Sequence, residues 1–183
     1  MKKWKILEKK LALDNKWFKV RSDRVLLPNG KILDEYLTWQ NRDVAAVVPI
    51  TPDGRFVMVK QYRHGNSEIT LEFPVGYIEE KESSKNTAIR ELQEETGYIG
   101  KKLISLGKLI NNASKETGNI FLYLAVGVEK GKKIAGDPNE QIEVVLLTKR
   151  QLIKVILSGE VRVTFSVAAT FLTLLKLGKF GKG

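Results

Sequence analysis

The chain has 183 residues, 43% of them hydrophobic, with 31 Lys and Arg against 21 Asp and Glu, a formal net charge of +10 and no cysteine. That length suits one ordinary domain with a small appended element, and the lack of cysteine excludes disulfide frameworks, thiol catalysis and Cys-based zinc sites. The basic start Met1-Lys-Lys-Trp-Lys lacks the apolar run of a signal peptide, no stretch reaches the length of a membrane span, and the lysines are spread without a block or an RNA-binding aromatic motif, so a cytoplasmic protein with no membrane partner and no specific nucleic-acid partner is expected.

Residues 5 to 41 read as antiparallel strands: Ile6 to Ala12, then Trp17 to Leu27, a turn at Pro28-Asn29-Gly30, and a return from Lys31 to Gln40. So small a sheet buries too little alone and must lean on something. Asn41-Arg42-Asp43 joins it to the main body. Val44 to Ile50 and Phe56 to Tyr62 are strands around Thr51-Pro52-Asp53-Gly54, a turn with its own chemistry. His64, the single histidine, falls in a polar loop. Ile69 to Phe73 is a strand that runs on through Pro74 and Val75 into Gly76. Leu103 to Ile110, Asn119 to Val128 and Ile142 to Leu147 are further strands. Lys149 to Leu157 and Phe165 to Leu177 read as helices with apolar faces. The order suits a mixed sheet covered by helices. The expected division is an N-terminal strand region over 1–41, a main domain over 42–177 and a flexible tail over 178–183.

The most informative stretch is Gly76-Tyr-Ile-Glu-Glu-Lys-Glu82, seven residues, then Arg90-Glu-Leu-Gln-Glu-Glu-Thr-Gly-Tyr98. Ser83 and Ser84 are N-cap candidates and Gly97 suits the residue that ends a helix. At about 100° per residue, Ala88, Ile89, Leu92 and Thr96 share one face, with Glu91, Glu94 and Glu95 beside it. Carboxylates three and four residues apart repel by a few tenths of a kcal/mol per pair. A hard divalent cation removes that repulsion, because it takes oxygen ligands and neutralises them. A solvated acidic face with Arg90 paired to Glu94 is the competing explanation.

The whole string fits G-x5-E-x7-R-E-U-x-E-E-x-G-U, with U a bulky aliphatic, at Gly76, Glu82, Arg90, Glu91, Leu92, Glu94, Glu95 and Gly97; Tyr98 departs only in being aromatic. It resembles the Nudix box, the signature of hydrolases that cleave a nucleoside diphosphate linked to another group. Lys60-Gln-Tyr-Arg63, Glu72-Phe-Pro-Val-Gly76 and Leu27-Pro-Asn-Gly-Lys31 are similar to segments of the ADP-ribose pyrophosphatase branch. The resemblance runs from about Phe18 to near Leu175 and weakens after Gly107.

The resemblance implies a Nudix-like α/β/α sandwich with a mixed sheet, plus a small N-terminal antiparallel sheet that joins two copies into a homodimer. It implies Mg2+, with Mn2+ as the alternative, held by Glu91, Glu95 and Glu94 and by the backbone carbonyl of Val75. It implies that Glu82 and Arg90 brace the loop against the helix, and that Gly76 and Gly97 also take structural roles. Arg63 is a candidate for holding a phosphate bidentately, because it ends a strand beside a loop. A distal acid is implied in Asp137-Pro-Asn-Glu-Gln-Ile-Glu143, with Glu140 the best match, Glu143 the fallback and Glu116 a weaker one. The adenine platform is sought among Trp17, Phe18 and Trp39, each of which could equally be packing.

The implied reaction is hydrolysis of ADP-ribose to AMP and ribose 5-phosphate. The loop Asn111 to Gly118 lacks the proline usual in that branch, so its base and ribose contacts are not carried over, and another nucleoside diphosphate sugar or a dinucleotide stays open as substrate. A nucleotide- or RNA-binding module that does not cut is the alternative of a different class.

Overall fold

A computed structural model describes residues 1–16, 18–100, 102–132, 134 and 141–178. The chain divides into two compact units, one of Met1–Asp43 with Ile110–Asn119 and one of Val44–Leu109 with Ile120–Gly183. Trp17, Glu140 and the tail from 179 lie outside the described residues.

The first unit holds three antiparallel strands, β1 (Lys5–Asp14), β2 (Lys19–Leu26) and β3 (Ile32–Gln40), in the order β1-β2-β3. The β2–β3 turn closes through Leu27 N–H to Lys31 O at 2.8 Å and Gly30 N–H to Leu27 O at 3.0 Å. Every residue of β1 is exposed, including Leu7, Leu11 and Leu13, so this edge strand shields nothing on its own. Residues 110–119 return to β3. The Trp39 N–H donates to Lys115 O at 2.9 Å, Thr117 N–H donates to Trp39 O at 3.2 Å, and the Tyr36 hydroxyl donates to Ser114 O at 2.7 Å. The Lys115 ammonium sits 3.8 Å from the Tyr36 ring centroid, a cation–π contact.

The second unit is built on a seven-stranded mixed sheet. Its main path runs β12 (Ile142–Leu147), β5 (Phe56–Arg63), β4 (Val44–Ile50), β10 (Asn119–Val126), β9 (Leu103–Ile110), with β6 (Glu68–Glu72) on β5 and β7 (Val75–Tyr77) on β4. β4 and β10 are parallel, while β12, β6 and β7 pair antiparallel with their neighbours. A two-stranded ribbon pairs β8 (Tyr98–Ile99) with β11 (Glu129–Lys130).

Period-two alternation splits the core between two faces. Ala46, Val48 and Ile50 of β4 join Phe56 and Met58 of β5 and Leu122 and Leu124 of β10 against Leu152 of α2 (Lys149–Leu157) and Ala169 of α3 (Thr164–Lys176). Ala45 and Val47 of β4 with Val57 of β5 face the other way, onto Ala88 and Leu92 of α1 (Ser84–Thr96). Truncating such a buried leucine to alanine costs about 2–5 kcal/mol. This is the mixed sheet between helices that the element order predicts.

Two local differences from the sequence reading have physical causes. The strand expected to run unbroken from Ile69 into Gly76 ends at Glu72, and Val75–Tyr77 pairs with β4 instead. Pro74 has no N–H for a ladder. Its carbonyl accepts from Val47 N–H at 3.0 Å, which turns the chain toward β4. On α1, Thr87 is buried in place of Ile89. The Thr87 hydroxyl donates to Glu82 Oε2 at 2.8 Å and so has a partner inside.

Candidate active site

The β7–α1 segment carries most of the site. α1 begins at the N-cap Ser83, whose Oγ accepts from Asn86 N–H at 3.2 Å; such a cap is worth about 1 kcal/mol. It ends at Gly97, with φ 73 and an N–H that donates to Gln93 O at 2.9 Å. That left-handed conformation costs glycine little and other residues more. Between these caps one turn of helix presents Glu91, Glu94 and Glu95.

Arg90 organises the carboxylates. Its Nε and Nη2 donate to the two oxygens of Glu82, each at 3.1 Å, and Nη2 also donates to Tyr77 O at 3.2 Å. Its Nη1 donates to Glu91 Oε1 at 2.6 Å and to Glu94 Oε2 at 2.9 Å. Glu82 in turn accepts from Glu79 N–H at 3.3 Å and from the Thr87 hydroxyl. The pair thus ties the loop after β7 to the first two turns of α1. The Arg90–Glu94 pair of the competing explanation is one arm of this larger network.

The Arg90 guanidinium holds the Glu82 carboxyl below the 4.5 of an ordinary glutamate, and Glu82, then Glu91, push Arg90 upward. A carboxyl with a depressed folded pKa stabilises the fold above its unfolded pKa and stops doing so as pH falls through the folded value. Wild-type stability should therefore fall below pH 4.5 more steeply than that of Glu82→Gln. Thermal melts from neutral pH down to pH 3 check this; parallel acid limbs would contradict it.

Glu95 is buried, and Val75 N–H donates to its Oε2 at 3.3 Å. Glu91 packs against the backbone of Gly76 so closely that a Cβ there would lie 1.7 Å from Glu91 Oε1. Arg63, at the end of β5, reaches the same space, with its Nε donating to Glu72 Oε1 at 2.7 Å.

Arg63, Glu91 and Glu95 line a cavity of about 390 Å³ together with Val75–Tyr77. Its lining carries the carboxylates Glu79, Glu91, Glu94 and Glu95 and the guanidinium groups of Arg63 and Arg90, two positive against four negative, a net of −2. Such a cavity repels a phosphate unless a cation enters with it. The donors are all hard oxygens, the set that suits Mg2+, and the residues present therefore fit a divalent ion. Among the described residues no three carboxylates converge at ligand distance, since Arg90 draws Glu91 and Glu94 toward itself and Val75 N–H engages Glu95.

Of the residues singled out from sequence, Arg63, Val75, Gly76, Arg90, Glu91, Glu94 and Glu95 line this one cavity. Glu82 stands behind Arg90, and Gly97 caps the far end of α1. Trp39 belongs to β3 of the first unit and is half-buried there, opposite Val20. Phe18 lies just before β2 and is exposed. Glu143 is exposed on β12, 3.9 Å from Lys60 Nζ, and lines a different cavity. Glu116 is bonded to Asn41 and, at 2.9 Å, to Asn111 Nδ2 in the first unit. His64 is exposed beside Tyr62. Sequence reasoning assigned no role to Glu72, Tyr77 or Glu79. A charged residue at an inward position of an alternating strand was the available signal for Glu72.

Comparison with known proteins agrees with this geometry. The Nudix domain matches residues 40–163 and the nucleoside diphosphate sugar hydrolase N-terminal domain matches residues 4–36. The chain is 31% identical to the ADP-ribose pyrophosphatase of Bacillus subtilis (strain 168) over 159 residues, 86% of this chain and 85% of that protein. It is 34% identical to the methanol dehydrogenase activator of Bacillus methanolicus over 131 residues, 71% of this chain and 70% of the other. The crystal structure of an ADP compounds hydrolase superposes with a TM-score of 0.87 at 25% identity, covering 98% of each chain. The Nudix match spans more than half of the chain and coincides with the carboxylate-lined cavity of α1 and β7: the protein belongs to the Nudix hydrolase family and is ADP-ribose pyrophosphatase-like.

Proposed function

We propose that the protein hydrolyses the pyrophosphate bond of a nucleoside diphosphate linked to another group, with ADP-ribose giving AMP and ribose 5-phosphate. The observation that carries this reading is the meeting of Glu91, Glu94, Glu95 and Arg63 around one cavity with net charge −2. Supporting it are the likeness to the B. subtilis ADP-ribose pyrophosphatase and to the ADP compounds hydrolase.

Glu91, Glu94, Glu95 and the Val75 carbonyl would hold Mg2+. When bound, the ion neutralises phosphate oxygens and acidifies water. Arg63 binds a phosphate oxygen through its planar fork. Arg90 and Glu82 keep the carboxylate-bearing turn and the Gly76 loop in fixed relation. A water oxygen attacks one phosphorus and the bridging P–O bond breaks, releasing the two monophosphates. Glu140, which lies outside the described residues, is proposed to orient that water, with Glu143 as the fallback. Trp39 is proposed as the platform for the base. A cytoplasmic setting goes with this reading; among the described residues no helix is long and apolar enough to cross a membrane.

Glu140→Gln should lower kcat by about 10²-fold or more, the usual worth of a positioned acid or base, with substrate binding little changed. If Glu143→Gln is crippled and Glu140→Gln is not, the assignment moves to Glu143.

The exposed apolar residues of β1, together with the shallow three-stranded sheet, support a homodimer through the N-terminal strands. Light scattering at micromolar concentration should give twice the 20.7 kDa chain mass; a monomer mass would count against it.

Substrate choice is tested by kcat/KM across ADP-ribose, other nucleoside diphosphate sugars, and flavin and nicotinamide dinucleotides, all with Mg2+. ADP-ribose should rank first. A tenfold preference for another member of the panel would transfer the assignment to that compound while leaving the reaction class intact.

A further inference from the structure

We propose that Glu72 is a positioning residue for Arg63, fixing the plane in which the guanidinium meets the phosphates. The inference rests on the reading of the cavity as a pyrophosphate site.

The register makes the choice of partner informative. In the β5–β6 ladder, Arg63 lies opposite Glu68, and Glu72 lies opposite Val59, two pairs further along the same face. Arg63 nevertheless bonds Glu72 at 2.7 Å, while Glu68 is engaged by Arg162. Arg63 therefore folds back along the strand to a buried acid and passes over the half-buried one directly across. Glu72 is 2% exposed, against 37% for the Arg63 side chain. A carboxylate that deep is costly unless paired and hydrogen-bonded. Its Oε1 accepts both Arg63 Nε and, at 2.9 Å, the Thr70 hydroxyl.

The backbone on either side is also fixed. Glu72 is the last ladder residue of β6, and the next N–H, of Phe73, donates to the buried Ser166 Oγ of α3 at 3.0 Å. The carboxylate thus has a fixed anchor.

A guanidinium is planar and rigid, so fixing Nε fixes the directions of all its N–H bonds. Arg63 does this at the wall of the cavity that holds Glu91, Glu94 and Glu95. Glu72 cannot serve attraction, because its negative charge subtracts from that of Arg63. What it adds is orientation, which matters most where geometry must be met closely, in the transition state.

That distinction sets the test. Glu72→Gln should lower kcat about 10- to 100-fold, the scale of a misplaced positioning group, with ADP binding by calorimetry changed by less than about threefold. In an Arg63→Ala background, Glu72→Gln should add no more than about twofold, as expected when one residue acts through the other. Losses that multiply in the double variant, or an unchanged kcat in Glu72→Gln, would overturn the proposal. Thermal melts establish that each variant folds. Should Glu72→Gln fail to fold, Thr70→Val, which keeps the charge and removes one anchor, should lower kcat in the same direction by about threefold or more; unchanged turnover there also overturns it.

One readout is independent of turnover. By NMR of the wild-type protein, the Arg63 Nε–H, assigned by its loss in Arg63→Lys, should exchange slowly with water and remain protected when ADP is added. It should lose protection in Glu72→Gln. An unprotected Nε–H in the wild type overturns the inference whatever the enzyme cleaves. Absence of turnover on every nucleoside diphosphate tested, with the Nε–H protected, would instead remove the pyrophosphate reading of the cavity and with it the role claimed for the anchor.

Discussion

Glu95→Gln is expected to cut turnover by roughly several hundred-fold or more while the protein stays folded, since several kcal/mol of charge stabilisation is at stake. Glu95 is the buried member of the carboxylate group and touches the loop through Val75 N–H. Glutamine keeps the shape and an oxygen that can accept from that N–H, so the local fold has no reason to change. The substitution removes one negative charge from a lining whose net is −2, and with it a ligand for the divalent ion. The loss should be largest when Mg2+ is limiting. Kinetics across a magnesium titration, with a thermal melt as control, decide the point; near-normal turnover at limiting magnesium would remove Glu95 from the metal site.

Gly76→Ala should be nearly as damaging to activity and much gentler on stability. A Cβ at this position would lie 1.7 Å from Glu91 Oε1 and 2.0 Å from Glu91 Cδ. The obstruction is the end of a flexible side chain, so Glu91 can swing aside at a cost of about 1–3 kcal/mol. Swinging aside, however, takes its carboxylate out of the cavity and away from Arg90 Nη1. Displacing a catalytic group by about 1 Å can cost about 10²-fold in rate. A variant with wild-type kcat would show that Glu91 does not need the position it holds. A variant that cannot fold would show that the loop, rather than the side chain, absorbs the added methyl group.

The parts of the fold that alternate or repeat locally were legible in the sequence. The strands β4 and β5 around their turn, the caps Ser83 and Gly97, and the carboxylates of one helical turn all follow from spacing within a dozen residues. The cavity was legible where it depends on that turn. Pairings between distant residues were not. Nothing in Asn111 to Gly118 announces that Lys115 and Thr117 bond the backbone of Trp39, and the missing proline drew attention to substrate contacts instead. The bonding of Arg63 to Glu72 rather than to Glu68 depends on burial, which a strand pattern ranks only coarsely. Spacing alone offered Arg90 its i,i+4 neighbour Glu94, whereas Glu82, eight residues back across the loop, came only from the family resemblance; the guanidinium bonds both.

The most direct test of the central claim follows the products. The purified protein is incubated with ADP-ribose and Mg2+, with and without a chelator, and the products are identified by mass, alongside single-stranded RNA binding measured across a salt series. The account predicts AMP and ribose 5-phosphate in equal amounts, formed only with the metal and still formed at a salt concentration that abolishes RNA binding, because diffuse lysine contacts release counterions and weaken steeply with salt. No product from ADP-ribose or any other nucleoside diphosphate compound, together with RNA binding that survives high salt, would contradict it and identify a binding module built on the same fold.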